Sequence, residues 1–344
     1  MIDAKKKEKI SLKVVKTLCT RFENFPEDSS NNRNAPFHKA FLNAFLDKFE
    51  GKVSNIPFFI SLSSWLHGLN TTLGQSFFEE VAHILSDGQK KNFTRNENRL
   101  LKITKLQKAN ISNIITDLKN GNEKPDLKRE NSLVFINDGK EIEANNFTAD
   151  VFIEDDNQIV CIELKSVKPN AGEMRSEKQK MLEAKAALFR TFPAKNIKYY
   201  IGFPFDPTSS TATGSNKKRF LRSIIDGLKY FDPNEVLLAT ELWDFLSSDS
   251  GTMKQILNII NSIAKPDFKE KYNKLINEKT EIDEKKHILD EWNLISEKEL
   301  LENDSIIREK IKTDKRLKRI YRKNFFHNGE YNFERYVELM KLIK

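Results

Sequence analysis

Apolar positions in "SSWLHGLNTTLGQSFFEEVAHILSDG" recur with a helical period: Phe77, Val81, Ile84 and Leu85 fall on one stripe, and the Asp-Gly pair at 87 to 88 supplies a stop. The first 55 residues also read as helical, interrupted by "NFPEDSSNNRNAP". A further helix over 101 to 119 runs into the breaker "KNGNEKPD", after which "SLVFI" reads as a strand. At residues 148 to 167, "TADVFIEDDNQIVCIELKSV", the period changes from 3.6 to two, which predicts a hairpin. The chain then predicts a helix in "KPNAGEMRSEKQKMLEAKAALFRTF", a strand in "IKYYIGFPFDP" that stops at two prolines, and a loop in "TSSTATGSNKK". A helix over 218 to 230, a short strand "EVLLAT" and a helix "LWDFL" follow. This order predicts an α/β or α+β core, with helical additions at both ends. The expected regions are a helical 1 to 60, a core at 61 to 262 and a helical subdomain at 263 to 344.

The hairpin carries charges where a buried strand pair would not need them. Asp156 and Asn157 tolerate positive φ better than their neighbours, so a two-residue loop centred there is expected. That register pairs residue i with 313 minus i, setting Asp150 opposite Glu163 and Thr148 opposite Lys165. Ala149, Val151, Ile153, Val160, Ile162 and Leu164 then share an apolar face, while Asp150, Glu163 and Lys165 share the other. Opposed side chains have Cβ atoms about 4.5 to 5.5 Å apart, and like charges so placed repel. Two such carboxylates call for a cation between them. A hard divalent ion such as Mg²⁺ takes oxygen ligands and completes its shell with water and substrate phosphate. Lys165 on the same face could orient or activate a water and offset charge on a phosphate in flight. An ExK triplet alone is common on exposed strands; its register and the acid opposite give it weight.

Bulk properties narrow the classes. The net charge is +8, and nine Lys/Arg against two acids in "REKIKTDKRLKRIYRK", residues 308 to 323, supply +7 of it. That run is either a solvated helix face or a surface that contacts phosphates. Two cysteines, Cys19 and Cys161, with no CxxC, suggest neither a disulfide framework nor a structural zinc site. No apolar run is long enough for a membrane span, and "MIDAKKKEKISLK" lacks the apolar centre of a secretory signal, so a soluble, cytoplasmic protein is expected. GxSxG, GxxxxGK[ST] and GxGxxG are absent, leaving no support for a serine hydrolase elbow, a nucleotide hydrolase or a dinucleotide fold. His67, His83 and His287 show no metal-binding spacing; His83, four residues after Glu79, reads as a helix pair.

Asp150, a twelve-residue gap and Glu163-x-Lys165 on adjacent strands resemble the PD-(D/E)XK nuclease motif, with Ala149 where that family often has proline. "LGQSFFEEVAHIL", residues 73 to 85, resembles the first core helix of the superfamily, which often lends an acid to the site. Either Glu79 or Glu80 could serve, and Glu79, lying off the apolar stripe, is favoured. More narrowly, "GQSFFEEVAHIL", "IELKSVKPNAGEMRSEKQKMLEAKAAL", "YYIGFPFDP" and "LLATELWDFLS" occur in an order that resembles the TdeIII family of type II restriction endonucleases, over roughly residues 60 to 260. The resemblance implies an α/β, PD-(D/E)XK restriction-endonuclease-like fold, a mixed central sheet flanked by helices, and Mg²⁺-dependent hydrolysis of double-stranded DNA at a short palindrome such as GGNCC. It also implies a homodimer and a companion DNA methyltransferase. Asp150 and Glu163 would hold the metal, Lys165 the attacking water, and Glu79 would assist.

Further candidates follow the ExK strand. Lys168, Asn170, Arg175, Lys178 and Gln179 fall where the superfamily's next helix often reaches the site, and Lys178 and Gln179 are preferred. The alternative is an ordinary amphipathic helix with a stripe of Met174, Met181, Leu182 and Leu188. Lys217, Lys218, Arg219 and Arg222 in "SNKKRFLR" join a loop to a helix and could contact DNA phosphates or a groove, or simply face solvent. The rivals to a restriction enzyme are a structure-specific PD-(D/E)XK nuclease of repair or recombination and a DNA-binding protein without catalysis.

Overall fold

The computed structural model describes residues 1 to 28, 36 to 45, 56 to 94, 101 to 166 and 171 to 343. The chain forms two compact units, Met1–Ile2 with Phe78–Ile256, and Asp3–Phe77 with Leu257–Lys344. The first contains α1 (Phe78–Ser86), β1 (Gln89–Phe93), β2 (Lys102–Thr104), α2 (Lys105–Asn120), α3 (Leu127–Val134), β3 (Glu141–Glu143), β4 (Phe147–Glu154) and β5 (Gln158–Leu164). It continues with α4 (Ala171–Thr191), β6 (Asn196–Phe203), α5 (Lys217–Ser223), α6 (Gly227–Tyr230), β7 (Val236–Leu238) and α7 (Thr240–Ser247). Five strands make a mixed sheet in the order β1-β4-β5-β6-β7. The pairs β1/β4 and β4/β5 are antiparallel, and β5/β6 and β6/β7 are parallel. A parallel pair needs a crossover, and α4 supplies it between β5 and β6. The mixed α/β architecture is therefore the one expected.

The hairpin keeps the expected register: Val151 pairs with Ile162, Phe152 with Cys161, Ile153 with Val160 and Glu154 with Ile159. Its turn is made by different chemistry. Neither Asp156 nor Asn157 has positive φ. Instead the Asp155 carboxylate accepts from the backbone N–H groups of Asn157 and Gln158, each at 2.8 Å, closing the loop as an Asx turn. At the Asp-Gly stop of α1, Asp87 is the left-handed residue, with φ 53°. Gly88 serves a close approach, since a Cβ there would lie 2.9 Å from the Phe152 carbonyl oxygen.

Two local expectations give way. "SLVFI" is no strand: residues 127 to 134 form α3, because Asp126 caps it by accepting from the Arg129 N–H at 2.9 Å and Val134 is buried beneath it. The helix expected over 218 to 230 is split into α5 and α6, since Asp226 takes a left-handed φ of 60° that no helix interior accommodates.

The second unit joins both ends of the chain, where the sequence reading keeps 1 to 60 and 263 to 344 apart and assigns 61 to 77 to the core. The Glu8 carboxylate in the helix Ala4–Glu23 accepts from the Ser296 N–H and hydroxyl, both at 2.7 Å and buried. Phe22 stacks on Phe268, and Phe268 on Trp292, at centroid distances of 5.5 and 5.3 Å. Contacts so distant along the chain leave no mark in a local hydrophobic pattern. No helix among the described residues is long and apolar enough to cross a membrane.

Candidate active site

One step beyond the Val151–Ile162 pair, toward the open end of the hairpin, stand Asp150 and Glu163. Asp150 Oδ2 accepts from the Leu164 N–H at 2.9 Å, so this side chain leans onto the end of β5 beside Glu163. His83 on α1 donates through Nε2 to the Asp150 carbonyl oxygen at 2.7 Å, tying the strand to the helix that carries Glu79. The Lys165 N–H donates to the Gly202 carbonyl at 2.9 Å, extending the β5/β6 ladder just past Leu164. Each acid is thus placed by backbone pairing, which fixes it more tightly than a loop would.

Burial and mutual repulsion act on these carboxylates. The Glu163 side chain is only 8% exposed. Its carboxyl is pushed up from the ordinary range, first by burial and then by the charge of Asp150, with Lys180 opposing. Lys165 Nζ lies 3.4 Å from Glu163 Oε1, 2.8 Å from Glu177 Oε1 and 3.6 Å from Glu173 Oε1. Burial pulls the Lys165 pKa down, but these acids together carry it above its usual value, so it remains an ammonium at neutral pH. Lys180 Nζ meets Glu163 Oε2 at 2.6 Å. Lys90 Nζ lies 3.1 Å from both Glu79 oxygens and 3.9 Å from Asp150 Oδ1. Glu79, the favoured acid of α1, is thereby linked to Asp150.

Sequence reasoning missed four residues of this cluster: Glu173, Glu177, Lys180 and Lys90. Glu177 and Lys180 lie four and seven positions after Glu173 in α4, a helical spacing legible in "GEMRSEKQK". Lys90 had no such signal. It sits at the irregularity of β1, where Gln89 pairs with Phe152 but Lys91 with Ala149. A bulge of this kind re-aims a side chain against the alternation of its strand.

Other candidates fall elsewhere. Lys178 is fully buried, its ammonium between Glu130 (2.5 Å) and Glu235, with Lys185 3.0 Å from Glu235 on the far side. It cannot touch DNA in that position; the turn of α4 that faces the carboxylates presents Lys180. Gln179 is exposed and donates to Glu183 at 3.0 Å, and Arg175 is exposed. Lys217 is held by Glu241 at 2.8 Å and by the Pro233 carbonyl at 2.9 Å. Arg219 is held by the buried Asp206 at 3.1 Å, so its guanidinium braces the loop before α5. Lys218 and Arg222 are exposed. Lys168 and Asn170 lie outside the described residues.

Comparison with known proteins identifies the family. A family model described as "Type II restriction endonuclease, HinfI" matches residues 2–264. The chain is 43% identical to the type II restriction enzyme MjaII of Methanocaldococcus jannaschii, over 97% of this chain and 96% of that protein. No solved structure matches the chain. The matched family is HinfI, whereas the order of motifs resembles TdeIII; the comparisons support the level the two share. Enzymes of this type act on double-stranded DNA and generally use a divalent metal. The chain belongs to the HinfI family of type II restriction endonucleases and is a site-specific deoxyribonuclease.

Proposed function

We propose that DNA cleavage takes place at Asp150 and Glu163 in a site of the PD-(D/E)XK kind, with Mg²⁺ as the metal. The observation that carries the proposal is the juxtaposition of these two acids at the open end of an antiparallel pair, with Lys165 3.4 Å from Glu163. The donor set suits a hard divalent ion. Glu79, Asp150, Glu163, Glu173 and Glu177 bring five formal negative charges against three ammoniums, Lys90, Lys165 and Lys180, a deficit of two. Glu177 Oε2 is buried and accepts no hydrogen bond. Among the described residues no three His, Cys, Asp or Glu side chains converge tightly enough to hold an ion alone. Asp150 and Glu163 would therefore hold one whose remaining ligands are water and phosphate oxygens, the habit of Mg²⁺.

Such an ion supplies Lewis-acid stabilisation of the charge that builds on the scissile phosphate. Lys165, an ammonium at neutral pH, donates hydrogen bonds to the attacking water or the phosphate and does not take up the proton. Glu177 and Glu173 hold it in that charged form. Lys180 neutralises Glu163 until substrate arrives, and Glu79 assists from α1. A short palindromic target, of which GGNCC is one form, a homodimer whose two-fold axis matches it and a companion methyltransferase belong to the same proposal.

Plasmid or phage DNA incubated with Mg²⁺ is expected to give discrete fragments, and none with EDTA. A smear, or cutting that survives chelation, would overturn the reading.

The Lys90 ammonium occupies the space between Glu79 and Asp150. Lys90→Ala is expected to lower the half-saturating metal concentration for cleavage on the order of fivefold, the effect of about 1 kcal/mol of solvent-screened repulsion. A metal titration of single-turnover cleavage measures it.

A further inference from the structure

The second unit carries a charge concentration that the carboxylate site does not use. A cavity of about 530 Å³ opens beside the helix Lys315–Tyr321, lined by seven Lys/Arg side chains and three acids, a net of +4. Two of those acids are already committed. Glu297, buried, is held through both oxygens by Arg335 at 2.9 and 2.7 Å. Asp304 receives Arg308 at 2.7 Å and the Tyr321 hydroxyl at 2.5 Å. Lys318 and Arg322, also in the lining, make no ion pair among the described residues. Burial pulls the Lys285 pKa below its usual value, with Glu297 and Glu278 opposing the shift.

The helix gains no stability from this arrangement. Residues 315 to 323 hold six Lys/Arg and no acid, and like charges four apart on a helix repel. Arg316 and Lys323 find Glu338 and Glu334, but Lys315, Lys318, Arg319 and Arg322 have no ion-pair partner among the described residues. A second hollow of about 500 Å³, lined by Lys315, Arg316, Arg319 and Lys323 against Glu334, flanks the same helix. Beneath the helix, Ile320 packs into a core with Leu300, Ile307, Ile311, Leu339 and Met340, so the charges stand on a fixed base. Lys318 and Arg322, four residues apart, are separated by about 6 Å along the axis, close to the rise of two nucleotides of one strand, roughly 7 Å.

We infer that the basic cleft and ridge around Lys318 and Arg322 bind the sugar–phosphate backbone of double-stranded DNA, as a contact made by the second unit in its own right. The enzyme's substrate is a polyanion with phosphates at regular intervals, and a row of unpaired cations on a helix is its electrostatic complement. Such contacts position the duplex without reading bases.

The test is binding of the full-length enzyme to a duplex in EDTA over a range of salt concentrations, so that the result does not depend on the metal or on the carboxylate assignment. In K318Q/R322Q the slope of log K against log salt is expected to fall in magnitude by about 1.8, two contacts at about 0.9 each, with an unchanged urea midpoint. The charge-retaining K318R/R322K should keep the wild-type slope. The control pair K105Q/K108Q, exposed on α2 of the other unit, should leave it unaltered. Wild-type slope and affinity in K318Q/R322Q, or an equal loss in either comparison variant, would overturn the inference. So would protection of the enzyme from unfolding by inorganic phosphate with no change in the duplex slope, which would make the cleft a small-anion site.

Discussion

Glu163→Gln is expected to lower single-turnover cleavage by at least about 10³-fold, the scale on which loss of one preorganised electrostatic group falls, while duplex binding is retained. The substitution preserves shape and removes one charge. In the wild type that charge stands buried beside Asp150, with Lys165 and Lys180 at 3.4 and 2.6 Å. The amide is a far weaker ligand for a hard cation and gives Lys165 and Lys180 no countercharge. DNA affinity should hold or rise slightly, because one negative charge near the scissile phosphate disappears while phosphate contacts elsewhere persist. Single-turnover gels with a parallel binding titration check both halves. Cleavage within tenfold of wild type would end the assignment of Glu163, and loss of binding together with cleavage would show a folding defect instead.

Glu235→Ala is expected to destabilise the protein by ~3–5 kcal/mol, the cost of removing one partner from a buried ion pair. Glu235 is fully buried and receives both Lys178 and Lys185, the latter at 3.0 Å. Without it two buried ammoniums share Glu130 alone, and Lys185 keeps only Asn131 at 3.3 Å. Urea unfolding measures the loss, and a change below about 1 kcal/mol would mean that water reaches the quartet. The pH dependence has a definite sign. Burial would raise the Glu235 carboxyl, but Lys178 and Lys185 more than offset it and hold it below the usual range. Its contribution is therefore complete above the ordinary glutamate pKa and fades as pH falls through acid values. Glu130 is raised by burial and responds in the opposite sense, so the wild type should change less across that range than Glu235 alone would dictate.

The quartet also explains the most instructive failure of sequence reading. Lys178 and Lys180 stand two apart in a charged helix, and although Lys178 falls on the stripe of Met174 and Leu182, nothing local names the buried acids that would hold an ammonium there. Partners 48 and 57 residues away, Glu130 and Glu235, take up Lys178, and Lys180 is the lysine that meets Glu163. Lys90 was hidden for a related reason: a bulge against β4 re-aims it, and a bulge belongs to a pair of strands. Likewise the apolar run "SLVFI" carried no sign of the Asp126 cap that makes it helical in context.

What the sequence determined by itself is the hairpin and its register. Side chains alternate with a period of two, a slip of one residue would exchange a buried face for a charged one, and so local pattern alone set Asp150 beside Glu163, with Lys165 two residues on. It also determined the order of helices and strands that follows the hairpin and the concentration of positive charge at residues 308 to 323, but not the short strands β1, β2 and β3 before it. Only the tertiary structure decided that Lys180, Glu177 and Lys90 complete the cluster, that Lys178 is structural, and that both ends of the chain share one unit. Those outcomes depend on helix rotation, on pairing between strands and on contacts such as Glu8 with Ser296, which join residues distant in the chain. Local periodicity alone does not settle them, because it is a property of one segment and they are properties of two.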